Sequence, residues 1–434
     1  MDKARAAALE VLERCRRNNA WSSAALDSVI TKYSLDSRSA ALASNISLGV
    51  MQNCTLCDYY IDSFSKSSKV EPKVRDIMRA AVYQLLFMDR IPDNAAVNEA
   101  VNQTKSLGYS RASGFVNAVL RKISKNKDAL PEIPNVGTPE FLSVKYSQPK
   151  WLAERIILEK GYNFAEAFLT ANNTAPKTAI QVNTLKISRE EFENKLSESG
   201  VEFSRHEWLP DCLYVSGNIT AVYGFNEGFF YVQDAAARCA VSAAELKEGM
   251  SVLDACSAPG GKSFAAAIDM HNCGSILSCD LHEKKLNLIN QGAERLGISI
   301  IRTETADARV KRNEEFDVII ADVPCSGIGV IRKKPDIRYK KSEEISDLPE
   351  IQLSVIRNLS DNLKIGGVFI YSTCTVLKAE NENVVNAFLA ENKCFAAEDF
   401  VLPNGKSSEN GMYTFWPNND GTDGFFVCKL RRIR

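Results

Sequence analysis

Apolar residues recur every third or fourth position from Lys3 to about Lys127. "KARAAALEVLERCRR" sets Ala7, Leu9, Val11 and Leu12 along one face, and "VRDIMRAAVYQLLFMD" continues the rhythm through Ile77, Ala80, Ala81 and Gln84 to Leu85. "SGFVNAVLRKISKNK" closes this helical set, and Asp93 or Asn94 is placed to cap a helix after "RIP". The stretch "LPEIPNVGTPEF", with three prolines and a glycine, then breaks the pattern. Two more helices are predicted in "PKWLAERIILEKGYNFAEAFLTANN", after which the period changes to two. "TAIQVNTLKI" and "CLYVSG" read as strands on either side of the helix "SREEFENKLSESG".

From Val252 onward, short apolar runs alternate with helical stretches: "SVLDAC", "SILSCD", "ISIIRTE", "FDVIIAD" and "GGVFIYS". Strands buried on both faces read as continuous apolar runs, so these predict a doubly wound, mostly parallel α/β sheet. The last segment, "MYTFWPNNDGTDGFFVCKL", joins two strand candidates by a Gly- and Asn-rich turn and predicts an antiparallel hairpin at the sheet's end. The expected division is 1–130, 138–240 and 241–434, in keeping with the two or three domains that 434 residues imply.

Composition narrows the class. No apolar run approaches the roughly 18 residues of a membrane span. The N-terminus, "MDKARAAALEVLERC", carries charges at every turn and lacks the apolar core of a signal peptide, so a cytoplasmic protein is expected. Twelve cysteines at irregular spacings fit a reducing compartment. Cys54 and Cys57 have metal spacing, but no second CxxC follows and only His206, His271 and His282 occur, so no metal is expected and two helix cysteines are. Residues 1 to 127 hold 19 Lys and Arg against 12 Asp and Glu, a balance of +7 that leaves −8 on the remaining 307. A basic helical domain joined to an acidic remainder points to a polyanionic partner, of which RNA is the obvious one.

In an open α/β sheet, ligands sit beyond the carboxyl ends of the strands. Those ends deliver "DACSAPGGKS", Asp280, Asp307 in "TADAR", Asp322 followed by Pro324 and Cys325, and Thr373 followed by Cys374. Gly260 and Gly261 stand at a strand-to-helix turn, where the backbone can approach a ligand. Asp280 lies where a carboxylate accepts hydrogen bonds from ribose hydroxyls. A nucleoside-containing cofactor follows. "CSAPGGKS" also approximates the phosphate-binding GxxxxGKS loop, with Cys256 in place of its first glycine, so a nucleotide hydrolase is the rival reading. That rival leaves the two strand-end cysteines without a use.

A thiolate that adds to C6 of a pyrimidine makes C5 nucleophilic toward an electrophilic methyl group. Such chemistry needs the thiolate, a group near N3 as charge develops, and a base for the C5 proton. Spacing alone leaves Cys325 and Cys374 tied for the nucleophile.

"LDACSAPGGKS", "ADVPCSGIGVIRKKPDIRY" and "YSTCTVLKAENENVV", in this order, resemble the signature of the Sun/Fmu (NOP2-like) family of S-adenosylmethionine-dependent RNA cytosine-C5 methyltransferases. "AAVYQLLFMDRIPDNAAVNEAV" and "GFVNAVLRKI" are similar to the NusB-like RNA-binding domain fused to bacterial members. The resemblance implies an all-α NusB-like domain, a small α+β domain and a Rossmann-like methyltransferase domain. It further implies Cys374 as nucleophile, Cys325 as an aid to product release, and Asp322 between cofactor and cytosine. By the same resemblance Cys256, Ser257, Ala258, Pro259, Gly260, Gly261 and Lys262 cradle the methionine part of S-adenosylmethionine, Asp280 holds the ribose and Asp307 the adenine amino group.

For RNA, "VIRKKPDIRYKK" puts Arg332, Lys333, Lys334, Arg338, Lys340 and Lys341 beside the catalytic loop, a pattern that fits phosphate contacts. Gln181 stands where the family commonly has Arg, and a neutral amide cannot make a bidentate charged contact. The expected substrate is 16S ribosomal RNA, free or in a partly assembled subunit, and the expected state a monomer. A non-catalytic RNA-binding assembly factor is the second rival.

Overall fold

The helical rhythm of the first 127 residues builds what it predicts. In the computed structural model, which describes residues 2–18, 21–65 and 69–434, it becomes helices Lys3–Asn18, Ser22–Tyr33, Ser37–Gln52, Cys54–Phe64, Pro72–Phe87, Asp93–Ser106 and Ser113–Lys125. Six of them pack around Ile46, Ile61, Ile77, Val82, Val116 and Leu120, with Cys57 among them, while Ser22–Tyr33 sets Ala25 and Val29 against Ala4, Ala7, Val11 and Ala43 in a smaller second cluster. Each such fully buried side chain contributes about 1.5–3 kcal/mol. Asp36 caps its helix through the Ser39 N–H at 2.7 Å. Asp93 does not act as the predicted cap: it lies in the first turn after Pro92, and its carboxylate accepts instead from the Ser124 hydroxyl at 2.8 Å and Lys127 at 3.1 Å.

Three further helices, Pro139–Tyr146, Lys150–Lys160 and Tyr162–Ala171, belong to the same unit, which runs to Thr174 and takes in a distant segment, Ile331–Ser342. Arg338 explains why that segment belongs there. It is 5 % exposed, and its guanidinium donates to the carbonyls of Tyr146 and Asn172 at 2.9 Å and of Ser147 at 3.3 Å. Tyr339 donates to the Met51 carbonyl at 2.9 Å, and Trp151 to the Lys340 carbonyl at 3.0 Å. Arg338, expected at a phosphate, is thus an internal strut. Its Nη1 and Nη2 groups are taken by backbone carbonyls left over at helix ends.

The second unit comprises Ala175–Val330 and Glu343–Arg434. Its smaller sheet is formed by β1 (Thr178–Val182), β2 (Phe203–Arg205), β3 (Cys212–Val215) and β4 (Phe230–Val232) in the antiparallel order β2-β3-β1-β4. Helix Arg189–Glu198, capped by Ser188, packs Phe192 and Leu196 against Ile180, Leu213 and Phe230.

The larger sheet contains β5 (Ser251–Asp254), β6 (Ser275–Asp280), β7 (Ile301–Thr305), β8 (Phe316–Asp322), β9 (Leu363–Thr373), β10 (Phe395–Ala397), β11 (Met412–Phe415) and β12 (Phe425–Arg432). The strand order is β10-β12-β9-β8-β5-β6-β7, parallel from β7 to β9; β12 runs antiparallel to β9 and pairs with β11 as the predicted hairpin. The continuous apolar runs have a simple cause. Val318 and Ile320 of β8 face one core, with helices Ala235–Ser242, Gly261–Asp269 and Glu283–Leu296, while Ile319 and Ala321 face another, with Leu348–Ser360 and Glu382–Glu391. Both faces are covered, so alternation disappears. The chain leaves β5 toward β6 and β7, then returns to β8 on its other side. That reversal opens a crevice outside the carboxyl ends of β5 and β8.

Candidate active site

The first wall of this crevice is the loop between β5 and helix Gly261–Asp269. Gly260 has φ +108°, and a Cβ there would come within 2.6 Å of the Phe264 ring, so the turn admits only glycine. Ser257 pins the loop to β6, its backbone N–H and hydroxyl both donating to the Cys279 carbonyl at 2.8 Å. Asp254 ends β5 in full burial. Its Oδ2 accepts from the Ser263 hydroxyl at 2.6 Å, and burial pushes the carboxyl up to about 6. Ser263 Oγ also lies 2.7 Å from Ser278 Oγ, which accounts for the helix's fixed start. Burial, then the charges of Asp254, Asp322 and Asp280, push the Cys256 thiol up.

The neighbouring strands each add a carboxylate. Asp280, at the end of β6, accepts from the His282 N–H at 2.9 Å and lies 3.8 Å from the Lys285 ammonium. Asp307, beyond β7, accepts from the backbone and side chain of Arg309 at 2.7–3.0 Å, which holds its carboxyl below the ordinary range. Asp322, at the end of β8, is held from two sides. Ser372 donates its hydroxyl to Oδ1 at 3.0 Å, and Lys262 places its ammonium 2.6 Å from Oδ2. Burial works against the Lys262 charge, but Asp322, together with Asp254 and Cys374, outweighs it and the ammonium stays above its ordinary value. The same Nζ sits 5.2 Å from the Phe425 ring centroid. Because Phe426 pairs with Thr373, Phe425 stands opposite the position of Cys374.

The two strand-end cysteines meet. Cys325 Sγ lies 3.0 Å from Cys374 Sγ. The hydrogen bond with Cys374, burial, and the charges of Cys374, Glu380 and Asp322 push the Cys325 thiol well above its ordinary value. The loops carrying them are pressed together through glycine. Gly329 donates to the Cys374 carbonyl at 3.0 Å and accepts from the Gly424 N–H at 2.9 Å, and a Cβ on Gly329 would fall 1.8 Å from the Gly424 oxygen. Cys256 to Lys262, Asp280, Asp322, Cys325 and Cys374 therefore converge on one end of one sheet.

Not all the predicted residues join them. Arg332, Lys333, Lys334 and Arg338 fall in Ile331–Ser342 and belong to the helical unit; Lys334 is exposed, Arg338 buried. Gln181 is 1 % exposed on β1 and donates its amide to the Gln233 carbonyl at 3.1 Å, so its position is an interior one. Glu380 and Gln352, absent from the sequence reading, surround Cys325. Glu380 sits in "KAENEN", whose polarity reads as solvent-facing, and no sequence signal marks the one acidic side chain that turns inward.

Comparison with known proteins identifies the family. Residues 241–431 match the model of the 16S rRNA methyltransferase RsmB/F family, residues 2–125 the NusB family, and residues 148–221 the ferredoxin-like domain of RsmF/B-like methyltransferases. The probable ribosomal RNA small subunit methyltransferase B of Bacillus subtilis is 36 % identical, with 98 % of each chain covered. Its counterpart from Synechocystis is 30 % identical over the whole of both chains. The crystal structure of PH0851 superposes with a TM-score of 0.82 at 28 % identity, covering 99 % of each chain. With three domain models in the expected order and end-to-end likeness to these relatives, the chain belongs to the RsmB/F family of rRNA methyltransferases.

Proposed function

We propose that this protein transfers a methyl group from S-adenosylmethionine to C5 of a cytosine in 16S rRNA, in the cytoplasm, through a covalent bond between Cys374 and C6 of the base. The observation that carries the reading is the meeting of two thiols, Cys325 and Cys374, beside the Lys262–Asp322 pair at the strand-end crevice.

The residues lining the crevice suit S-adenosylmethionine. A glycine-only turn, the start of a helix and an acidic residue at the end of the adjacent strand are what a nucleoside with a zwitterionic tail requires. When bound, the cofactor supplies an electrophilic methyl group. Asp280 would accept from its ribose hydroxyls and the loop Cys256–Lys262 would hold the methionine part. Asp307 would meet the adenine amino group while still paired with Arg309.

The chain's own groups divide the remaining work. The Cys374 thiolate attacks C6, which drives electron density onto C5. Asp322, fixed by Ser372 and Lys262, faces the N3 and amino edge, where charge changes during attack. After methylation a base takes the C5 proton, the C5–C6 double bond re-forms, and the C6–S electrons return to the Cys374 sulfur. Cys325, 3.0 Å away, assists that departure. The target base must leave its stack to reach the thiolate. The hydrolase reading is disfavoured by Ser263, which is fully buried and donates to Asp254, and by Lys262, which is paired with Asp322; the corresponding phosphate-loop groups would face magnesium and phosphate.

The test is methyl transfer from labelled S-adenosylmethionine to 16S rRNA, with each reaction resolved on a denaturing gel. Cys374→Ala is expected to be inactive, and Cys325→Ala to accumulate protein bound covalently to RNA. A trapped complex with Cys374→Ala instead would reverse the two roles. No transfer to rRNA by the unaltered protein would favour the assembly-factor reading.

A further inference from the structure

Cys325 and Cys374 leave different strands, so something other than chain connectivity must fix their separation. A buried carboxylate does. Glu380, six residues after Cys374, is 1 % exposed. Its Oε2 accepts from the Ser326 N–H at 2.8 Å and from the Gln352 amide at 3.0 Å. The same Gln352 amide donates to the Pro324 carbonyl at 3.0 Å. The residues on either side of Cys325 are thereby gripped by one carboxylate and one amide. On the other loop, Thr375 Oγ1 lies 2.9 Å from Ser326 Oγ, and Tyr371 of β9 donates its hydroxyl to the Glu380 carbonyl at 2.6 Å. Glu380 is anchored to the strand that carries Cys374 and reaches across to the loop that carries Cys325.

From this geometry we infer that Glu380 is a positioning residue, which holds Cys325 against Cys374 and so governs release of the methylated RNA. The inference rests on the cysteine roles given under Proposed function. A carboxylate is costly to bury, and an apolar side chain would pack these loops without that penalty. What the carboxylate adds here is an acceptor shared by the Ser326 N–H and the Gln352 amide. The titratable groups facing Cys325 are Cys374, Glu380, Asp322 and Tyr371.

The experiment compares the unaltered protein, Cys325→Ala, Glu380→Ala and Glu380→Gln on 16S rRNA, measuring single-turnover methyl transfer and the denaturation-resistant protein–RNA complex. Glu380→Ala is expected to raise the complex about tenfold while transfer stays within about threefold, because only the release step depends on Cys325 placement. Glu380→Gln, which retains an acceptor for the Ser326 N–H, is expected to behave nearly as the unaltered protein, because the acceptor and not the charge positions Cys325; accumulation of the complex with Glu380→Gln to the level of Glu380→Ala would overturn that. If Glu380→Ala does not fold, Glu380→Asp replaces it. Its carboxylate is one methylene too short to reach Ser326, so it should also accumulate the complex; normal release by Glu380→Asp would overturn the inference. Accumulation with Cys325→Ala but not with Glu380→Ala overturns the inference and leaves the cysteine roles intact. Accumulation with neither removes the cysteine roles themselves. Equal loss of transfer and release would make Glu380 structural only and would equally overturn it.

Discussion

Lys262 is the residue at which a fixed carboxylate and the thiol proposed as nucleophile come together. Its ammonium lies on Asp322 and over the ring opposite Cys374, and the charges of Asp322, Asp254 and Cys374 all favour its protonated form. By reciprocity the ammonium favours the Cys374 thiolate. Lys262→Met should therefore slow methyl transfer about 100-fold, the usual consequence of removing one preorganised charge from a reacting centre. It should also move the pH of half-maximal Cys374 alkylation by iodoacetamide upward by about one unit. An unchanged alkylation profile, read by peptide mass spectrometry, would leave Lys262 as a partner of Asp322 alone. The motifs carried this residue in plain view, but the sequence could not say which way its four-carbon stem turns.

At the scale of elements, the parallel sheet was legible because both of its faces are apolar, and the terminal hairpin because its turn is rich in Gly and Asn. What stayed hidden was polar and interior. Lys429 lies in the middle of β12 with no exposure, its ammonium 2.9 Å from Glu245 and 2.8 Å from Glu398, which Arg431 also engages. A lysine in an alternating strand reads as solvent-facing, and only the layer that covers it makes it internal. The Arg431 hydrogen bond, with Lys429, holds the Glu398 carboxyl down to about 2. The sign follows. A carboxyl depressed in the folded state stabilises at neutral pH, and that contribution fades as pH falls from about 4.5 through 2. Allowing for its partial exposure, it amounts to about 2 kcal/mol. Glu398→Gln should lower the urea midpoint accordingly at pH 7, and the difference from the unaltered protein should vanish toward pH 2. A difference that persists at pH 2 would assign the effect to packing.

Over the whole molecule, the most consequential departure from the sequence reading is the segment Ile331–Ser342, which leaves the catalytic chain just after Cys325 and is built into the helical unit. Six cations in ten residues look like a surface for phosphate, because charge along a sequence carries no direction. Folding assigns them different tasks. Arg338 supplies donors to three backbone carbonyls of the helical unit, whereas Lys334 is exposed. Arg338→Met would leave those carbonyls buried without a donor, at a cost of about 3–5 kcal/mol. Hydrogen exchange should then quicken across 139–172, with no change in the salt dependence of RNA binding. Lys334→Met should do the reverse: exchange unchanged, and a log–log salt slope for 16S rRNA smaller by about one if its ammonium neutralises a phosphate. Should Arg338→Met flatten the salt slope while exchange stays slow, the guanidinium leaves its carbonyls to meet RNA, and the strut is a state of the free protein alone.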